Sequence, residues 1–145
     1  MATVQQILER KGRQVHSISE DASVLEAARQ MNEHRVGALV VTRAERVVGI
    51  FTERDILCRV VAAQRDPAQT KVGSVMTAPV AVCTPETTRE ECRNVMRARR
   101  IRHLPVVSGG RLTGIISIGD VLEATEADQH ATIQYLYEYM HGEWS

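Results

Sequence analysis

Two stretches decide the fold: Gly49-Ile-Phe-Thr52-Glu-Arg-Asp55 and Gly114-Ile-Ile-Ser117-Ile-Gly-Asp120. Each reads as an apolar strand that ends on a hydroxyl residue, with an aspartate three positions later in the first turn of a helix. They lie 65 residues apart, and the same register extends outward from them. Val15 falls on Val80, Glu26 on Glu91, Met31 on Met96, Arg35 on Arg100, Leu39 on Leu104, Val41 on Val106 and Leu57 on Leu122. No gap is needed from Val15 to Leu57, so the chain is a tandem duplication of one small unit.

The order of elements within a copy follows from local signals. Ser23-Val-Leu-Glu26 and Thr88-Arg-Glu-Glu91 have the form of capping boxes and open a helix in each copy. Val24, Ala27, Ala28 and Met31 form the apolar stripe of the first helix, and Cys92, Val95 and Met96 that of the second. Short strands are expected before the boxes, over Val15–Ile18 and Val80–Cys83. Buried strands follow at Gly37–Val41 and Leu104–Val107, then a turn, plainest at Ser108-Gly109-Gly110. A second strand comes at Val47–Phe51 and Leu112–Ile116, and a closing helix starts near Glu53 and near Ile118. The fold class is therefore mixed α/β, two βαββα units related by a pseudo-twofold axis.

The expected divisions are a first repeat with a lead-in over 1–63, a polar linker over 64–71, a second repeat over 72–127 and a C-terminal segment over 128–145. The lead-ins are the similar stretches Val4–Leu8 and Val72–Met76. Residues 128–141 read as an added helix with Ile133, Leu136, Tyr137 and Met140 on one face, ended by Gly142. This last segment holds all three tyrosines and the only tryptophan, side chains enriched at interfaces, which points to self-association.

Composition excludes several function classes. Among the 145 residues, Lys plus Arg and Asp plus Glu both number 18, so no basic excess favours nucleic acid or an anionic membrane. Aromatic residues make up 3%, too few for a base-stacking platform. Arg89, Arg93, Arg97 and Arg100 lie at helical spacing and read as a solvated face or an interface. No apolar run reaches the length of a membrane span, and the first residues lack the pattern of a signal peptide, so a cytoplasmic protein is expected. Cys58, Cys83 and Cys92 lack metal-site spacing and are expected to be small core residues. No Gly-rich phosphate loop, metal triad or nucleophile–base pair is present, which argues against an enzyme and against a catalytic cofactor.

The chemistry of Asp55 and Asp120 has two readings. Ser/Thr-x-x-Asp is itself a capping pattern, and an acid there suits the helix dipole. A carboxylate can also accept from both hydroxyls of a ribose diol, with Thr52 or Ser117 beside it.

The two copies resemble CBS domains, and G-[IV]-x-[ST]-x-x-D-[IV]-[IL] resembles the nucleotide motif of that family, over roughly Val4 to Leu122. The resemblance implies a stand-alone pair of bacterial type with two clefts between the copies. Family members hold AMP, ADP, ATP, NAD(H) or S-adenosylmethionine there, and they associate as flat homodimers. It further implies that a nucleotide held by Thr52 and Asp55 meets Arg102 and His103 from the other copy at its phosphates. One held by Ser117 and Asp120 would meet Val36, Gly37 and His16. Gly37 and Ala38 stand where Arg102 and His103 stand, so the Asp55 cleft is the more cationic and the first choice for an anionic nucleotide. The function expected is regulatory sensing of energy or redox state on behalf of a partner protein that the sequence does not name. The alternative is a structural dimerisation module in which both aspartates only cap helices.

Overall fold

The structure, a computed structural model, describes residues 2–122, so the helix expected over 128–141 and its aromatic residues lie outside the described residues. Helix α1 (Val4–Lys11) precedes the first half, which contains β1 (Ser17–Ser19), α2 (Val24–His34), β2 (Ala38–Arg43), β3 (Arg46–Thr52) and α3 (Glu53–Asp55). A π-helical segment, Ile56–Val61, continues α3. Helix α4 (Val72–Val75) leads to α5 (Arg89–Arg99), β4 (His103–Ser108), β5 (Arg111–Ser117) and α6 (Ile118–Val121).

The duplication is visible bond by bond. β2 pairs antiparallel with β3 from Ala38–Thr52 to Arg43–Arg46, and β4 pairs with β5 from His103–Ser117 to Ser108–Arg111. The register slips at the equivalent place in each, between Val41 and Thr42 and between Val106 and Val107. The turns also match. Gly109 and Gly110 both have positive φ, the pattern of the tight turns that join twisted antiparallel strands. The first half makes the same turn with Ala44 and Glu45 at positive φ, which is why no glycine marked it in the sequence.

The strand expected over Val80–Cys83 is reduced to one parallel bridge between Cys83 and Val106, whereas β1 pairs over three residues with β2. The reason is Pro105. Val40, its counterpart, donates its N–H to the His16 carbonyl to hold β1, and proline has no N–H to give. Cys83 keeps the bonds it can, donating to the Pro105 carbonyl and accepting from Val107 N–H.

Each half has its own core, and each core is completed by the lead-in of the other half. Val4, Ile7 and Leu8 of α1 pack with Cys92, Met96, Leu104, Val106 and Ile116. Val72 and Val75 of α4 pack with Val24, Met31, Leu39, Phe51 and Val60. Backbone bonds fasten the exchange: Val4 N–H donates to the Thr87 carbonyl, and Val72 N–H to the Ala22 carbonyl. Each lead-in precedes its own copy in the sequence and packs into the core of the other in the fold. This exchange accounts for the two motif glycines. A Cβ on Gly49 would lie 2.6 Å from Met76 Sδ, and one on Gly114 would lie 2.9 Å from Leu8 Cδ2. Both are closer than side-chain packing permits.

The helix starts follow the capping signals. Thr88 accepts from Glu91 N–H while Glu91 reaches back to Thr88 N–H, a complete box, and Ser23 accepts from Glu26 N–H. Cys83 and Cys92 are core residues as expected, but Cys58 is exposed. It lies on the π-helical segment, where Val60 turns inward and Leu57 and Val61 stay in solvent.

Candidate ligand-binding cleft

Both motif aspartates cap their helices. Asp55 Oδ2 accepts from Thr52 N–H at 3.0 Å and from Thr52 Oγ1 at 3.3 Å, while Asp55 N–H donates to Thr52 Oγ1. Asp120 Oδ2 accepts from Ser117 N–H at 2.8 Å and from Ser117 Oγ at 3.0 Å. One carboxylate oxygen thus suffices for the cap, and the question becomes what the rest of each carboxylate meets.

For Asp55 it meets a hydroxyl. Thr77, just beyond α4, donates from Oγ1 to Asp55 Oδ1 at 3.0 Å. Thr77 is held there because its backbone pairs with Ile50 on β3, N–H to carbonyl in both directions. Arg59, one helical turn after Asp55, donates to the Met76 carbonyl and places its Nε 3.8 Å from Asp55 Oδ1. Asp55 is one of two buried polar or charged residues among those described, at 6% exposure.

Beside this carboxylate opens a cleft of about 360 Å³. Gly37, Ile50, Thr52, Glu53, Arg54, Asp55 and Thr77 form one side, and Arg100, Ile101, Arg102 and His103 form the other. The second wall exists because Arg100 ends α5 in the left-handed conformation and turns the chain into β4. Ile118 N–H then donates to the Arg102 carbonyl and fixes that turn to the start of α6. Arg54, Arg100 and Arg102 line the cleft with two carboxylates, Glu53 and Asp55, a cationic excess of one before His103 is considered. Burial first, and then the Lys11 ammonium, hold the His103 imidazole below its ordinary pKa, and Arg102 adds to this; the carboxylates of Asp120 and Glu53 pull the other way.

The structure therefore brings together Thr52, Asp55, Arg102 and His103, and it places Gly37 in the same cleft. A Cβ on Gly37 would run into the Glu53 carboxylate, so the absence of a side chain there gives Glu53 its place on the wall. Val36 and Gly37 also line a second, more open groove of about 320 Å³ with Met31, Arg35, Glu53 and Ile56. Ser117 and Asp120 line neither space. His16 stacks on His34 with ring centroids 3.9 Å apart. Burial, and then His34, lower the His16 pKa.

Asp120 differs from Asp55 in its partner. Lys11, at the end of α1, donates to Asp120 Oδ2 at 2.6 Å and to the Ile115 carbonyl at 3.0 Å. Burial works against the Asp120 charge, but Lys11 and Ser117 outweigh it and hold the pKa below its ordinary value. Thr77 and Lys11 were missed in the sequence because both belong to lead-ins that cross to the other half. The one signal of that crossing was the pair of glycines, Gly49 and Gly114, which demand a close neighbour without naming it.

Duplicated βαββα halves with a capped aspartate at the start of each closing helix define a class. The family model described as "CBS domain" matches residues 4–62 and 72–127, and the chain belongs to the CBS-domain family. It is 34% identical over 149 residues to the mitochondrial CBS domain-containing protein CBSX3 of Arabidopsis thaliana, covering 97% of this chain and 72% of that protein. Among solved structures it is similar to the CBS-domain containing protein ATU1752 from Agrobacterium tumefaciens. That match has 42% identity and a TM-score of 0.79, and it covers 84% of this chain and 98% of the other. The CBS domain protein PAE2072 from Pyrobaculum aerophilum, solved in complex with AMP, matches with 28% identity and a TM-score of 0.76, covering 90% and 98%. No helix among the described residues is long and apolar enough to cross a membrane.

Proposed function

We propose that this chain is a regulatory binding module, not an enzyme, and that it holds an adenine nucleotide in the cleft beside Asp55. The observation that carries the reading is the pairing, across one cleft, of a buried carboxylate with arginines from the opposite half. A ribose diol would bond to Asp55 Oδ1, taking over from the Thr77 hydroxyl, while Oδ2 goes on capping α3. Cap and ligand site are thus compatible in one residue. The phosphate would meet Arg100, Arg102 and His103, and Ile50 and Ile101 would supply apolar contact for the base.

Size and charge narrow the ligand. A volume of about 360 Å³ is near the lower end of small-molecule sites, which run from roughly 300 to 1,000 Å³. A mononucleotide fits it better than NAD(H), and the modest cationic excess suits one phosphate better than three. The AMP complex of PAE2072 supports the same assignment. Binding one nucleotide more tightly in one conformation than another is all that a sensor of energy state requires of this module. Isothermal titration with AMP, ATP, NAD and adenosine tests the proposal. AMP should bind to the Asp55 cleft, more tightly than adenosine. Failure of all four to bind at millimolar concentration would leave only the structural role.

A further inference from the structure

The duplication makes one surface stand out. Helix α2 carries Val24, Ala28, Asn32 and Arg35 at the positions where α5 carries Arg89, Arg93, Arg97 and Arg100. The row of arginines, spaced so that each lies about one turn beyond the last, belongs to the second half alone. Arg93 and Arg97 are exposed, and neither joins an ion pair among the described residues. Neither lines the Asp55 cleft, which takes only Arg100 from this row. The charge of the chain is distributed to match. All 18 Lys and Arg lie in residues 1–122, which hold 13 of the 18 Asp and Glu, a net of +5. Residues 123–145 hold Glu123, Glu126, Asp128, Glu138 and Glu143 and no Lys or Arg, a net of −5. The neutral total conceals this asymmetry.

Two features bring the acidic segment to the arginines. Arg89 Nε donates to the Val121 carbonyl and ties the end of α6 to the first turn of α5, so the chain leaves Leu122 at the head of the row. In the first half the stretch equivalent to residues 121–126 is Ile56–Val61, and its Val60 shares a core with Val24 and Met31 of α2. Reach is sufficient as well. Arg97 lies two turns beyond Arg89, about 12 Å along the axis, and an extended chain from residue 123 to residue 128 spans up to about 20 Å.

We infer that the arginine row of α5 is the docking surface for the chain's own acidic C-terminal segment, residues 123–145, with Glu126 and Asp128 set against Arg93 and Arg97. Exposed ion pairs are individually weak, so the contact depends on several acting together and is screened by salt. A tethered segment meets the surface at an effective concentration on the order of millimolar, which favours it over a separate acidic partner.

Hydrogen exchange of the full chain, read by mass spectrometry over residues 123–145, tests this without any ligand, so the outcome is independent of the nucleotide site. The segment should be protected in about 10 mM salt, and about 1 M salt should lower that protection severalfold. Arg93→Glu/Arg97→Glu should lower it by about fivefold or more, and Glu126→Arg/Asp128→Arg should do the same. The four changes in one chain should restore it. If a charge-reversed chain does not melt cooperatively, Arg93→Gln/Arg97→Gln takes its place and should lose both the protection and its salt dependence. An unprotected segment in wild type, protection indifferent to salt, or no recovery in the chain with all four changes overturns the inference. So does unchanged protection in the glutamine variant. Co-expression of the two charge-reversed chains identifies the occupant. Recovery there would come from the segment of a second copy and would overturn the assignment to the chain's own.

Discussion

Replacing Asp55 by asparagine separates the two jobs of one carboxylate. The cap needs a single oxygen, because Thr52 N–H and Oγ1 both donate to Oδ2. Asp55 is the N3 residue of the capping box and Thr52 the N-cap, and an amide oxygen can accept from Thr52 N–H there as a carboxylate oxygen does, so α3 stays intact. The other end of the amide would turn its NH₂ toward Thr77, whose hydroxyl then accepts instead of donating to Oδ1. A charge-assisted bond of about 1.5–3 kcal/mol becomes a neutral one of about 0.5–1.5 kcal/mol, a net loss near 1 kcal/mol. Relief from burying a charge at 6% exposure reduces that loss further. The melting temperature should fall by no more than about 4 °C for a chain of this size. Ligand binding loses the same charge assistance: a ribose hydroxyl facing the NH₂ must turn and accept from it, a neutral bond in place of a charge-assisted one, which weakens AMP by about fivefold to tenfold. Thermal melts and titration of AMP on the same preparations measure both quantities. A variant that loses several kcal/mol of stability while binding AMP as before would show that the carboxylate serves only the fold.

The other expectations concern the neighbours of that residue. Thr77→Val removes the hydroxyl from Asp55 Oδ1 and should lower stability by about 1.5–3 kcal/mol while tightening AMP; equal or weaker binding contradicts a displaced hydroxyl. Arg102→Ala should weaken ATP more than AMP and leave adenosine within about twofold, because the proposed pose has the Arg102 guanidinium, on the cleft wall, meeting phosphate alone. Gly49→Ala puts a Cβ 2.6 Å from Met76 Sδ and 2.9 Å from the Thr77 carbonyl, an overpacking of about 1–3 kcal/mol. Urea unfolding that shows no loss would mean that residues 76–77 do not lie against β3. Burial, then Lys11, depresses the folded-state pKa of His103, so the neutral imidazole contributes stability that is complete above pH ~6.5 and is lost as pH falls below it. His103→Gln should flatten that part of the stability profile, as read by melts between pH 8 and pH 5.

The duplication, the strand pairs and the capped helices were legible because they are local, written in hydroxyl-x-x-acid patterns and in apolar runs that repeat in one register. The turn at Ala44-Glu45 was not, since it takes positive φ without glycine or asparagine. The loss of pairing at Val80–Cys83 was encoded by a proline in a different strand, Pro105, 22 residues beyond Cys83. The Asp55 cleft was legible in Thr52, Asp55, Arg102 and His103, but not in the rest of its walls. Thr77 and Arg100 reach it through a crossing and a left-handed helix end. Lys11 reaches Asp120 across 109 residues, a partnership with no signature in either local stretch.

The exchange of lead-ins also orders events in synthesis. α1 leaves the ribosome before the surfaces that bury Val4, Ile7 and Leu8, which belong to residues 83–121. An amphipathic eight-residue helix is too short to persist alone in water, so it stays uncommitted until the second half arrives. The first half, by contrast, closes its core as soon as Val72 and Val75 are made. Folding on the ribosome should therefore pause at a half-built stage with α1 as an undocked arm. The last step threads nothing and simply docks that arm. Separately expressed halves split at 64–71 would each lack the piece that the other carries, and should recover the native cores only when mixed.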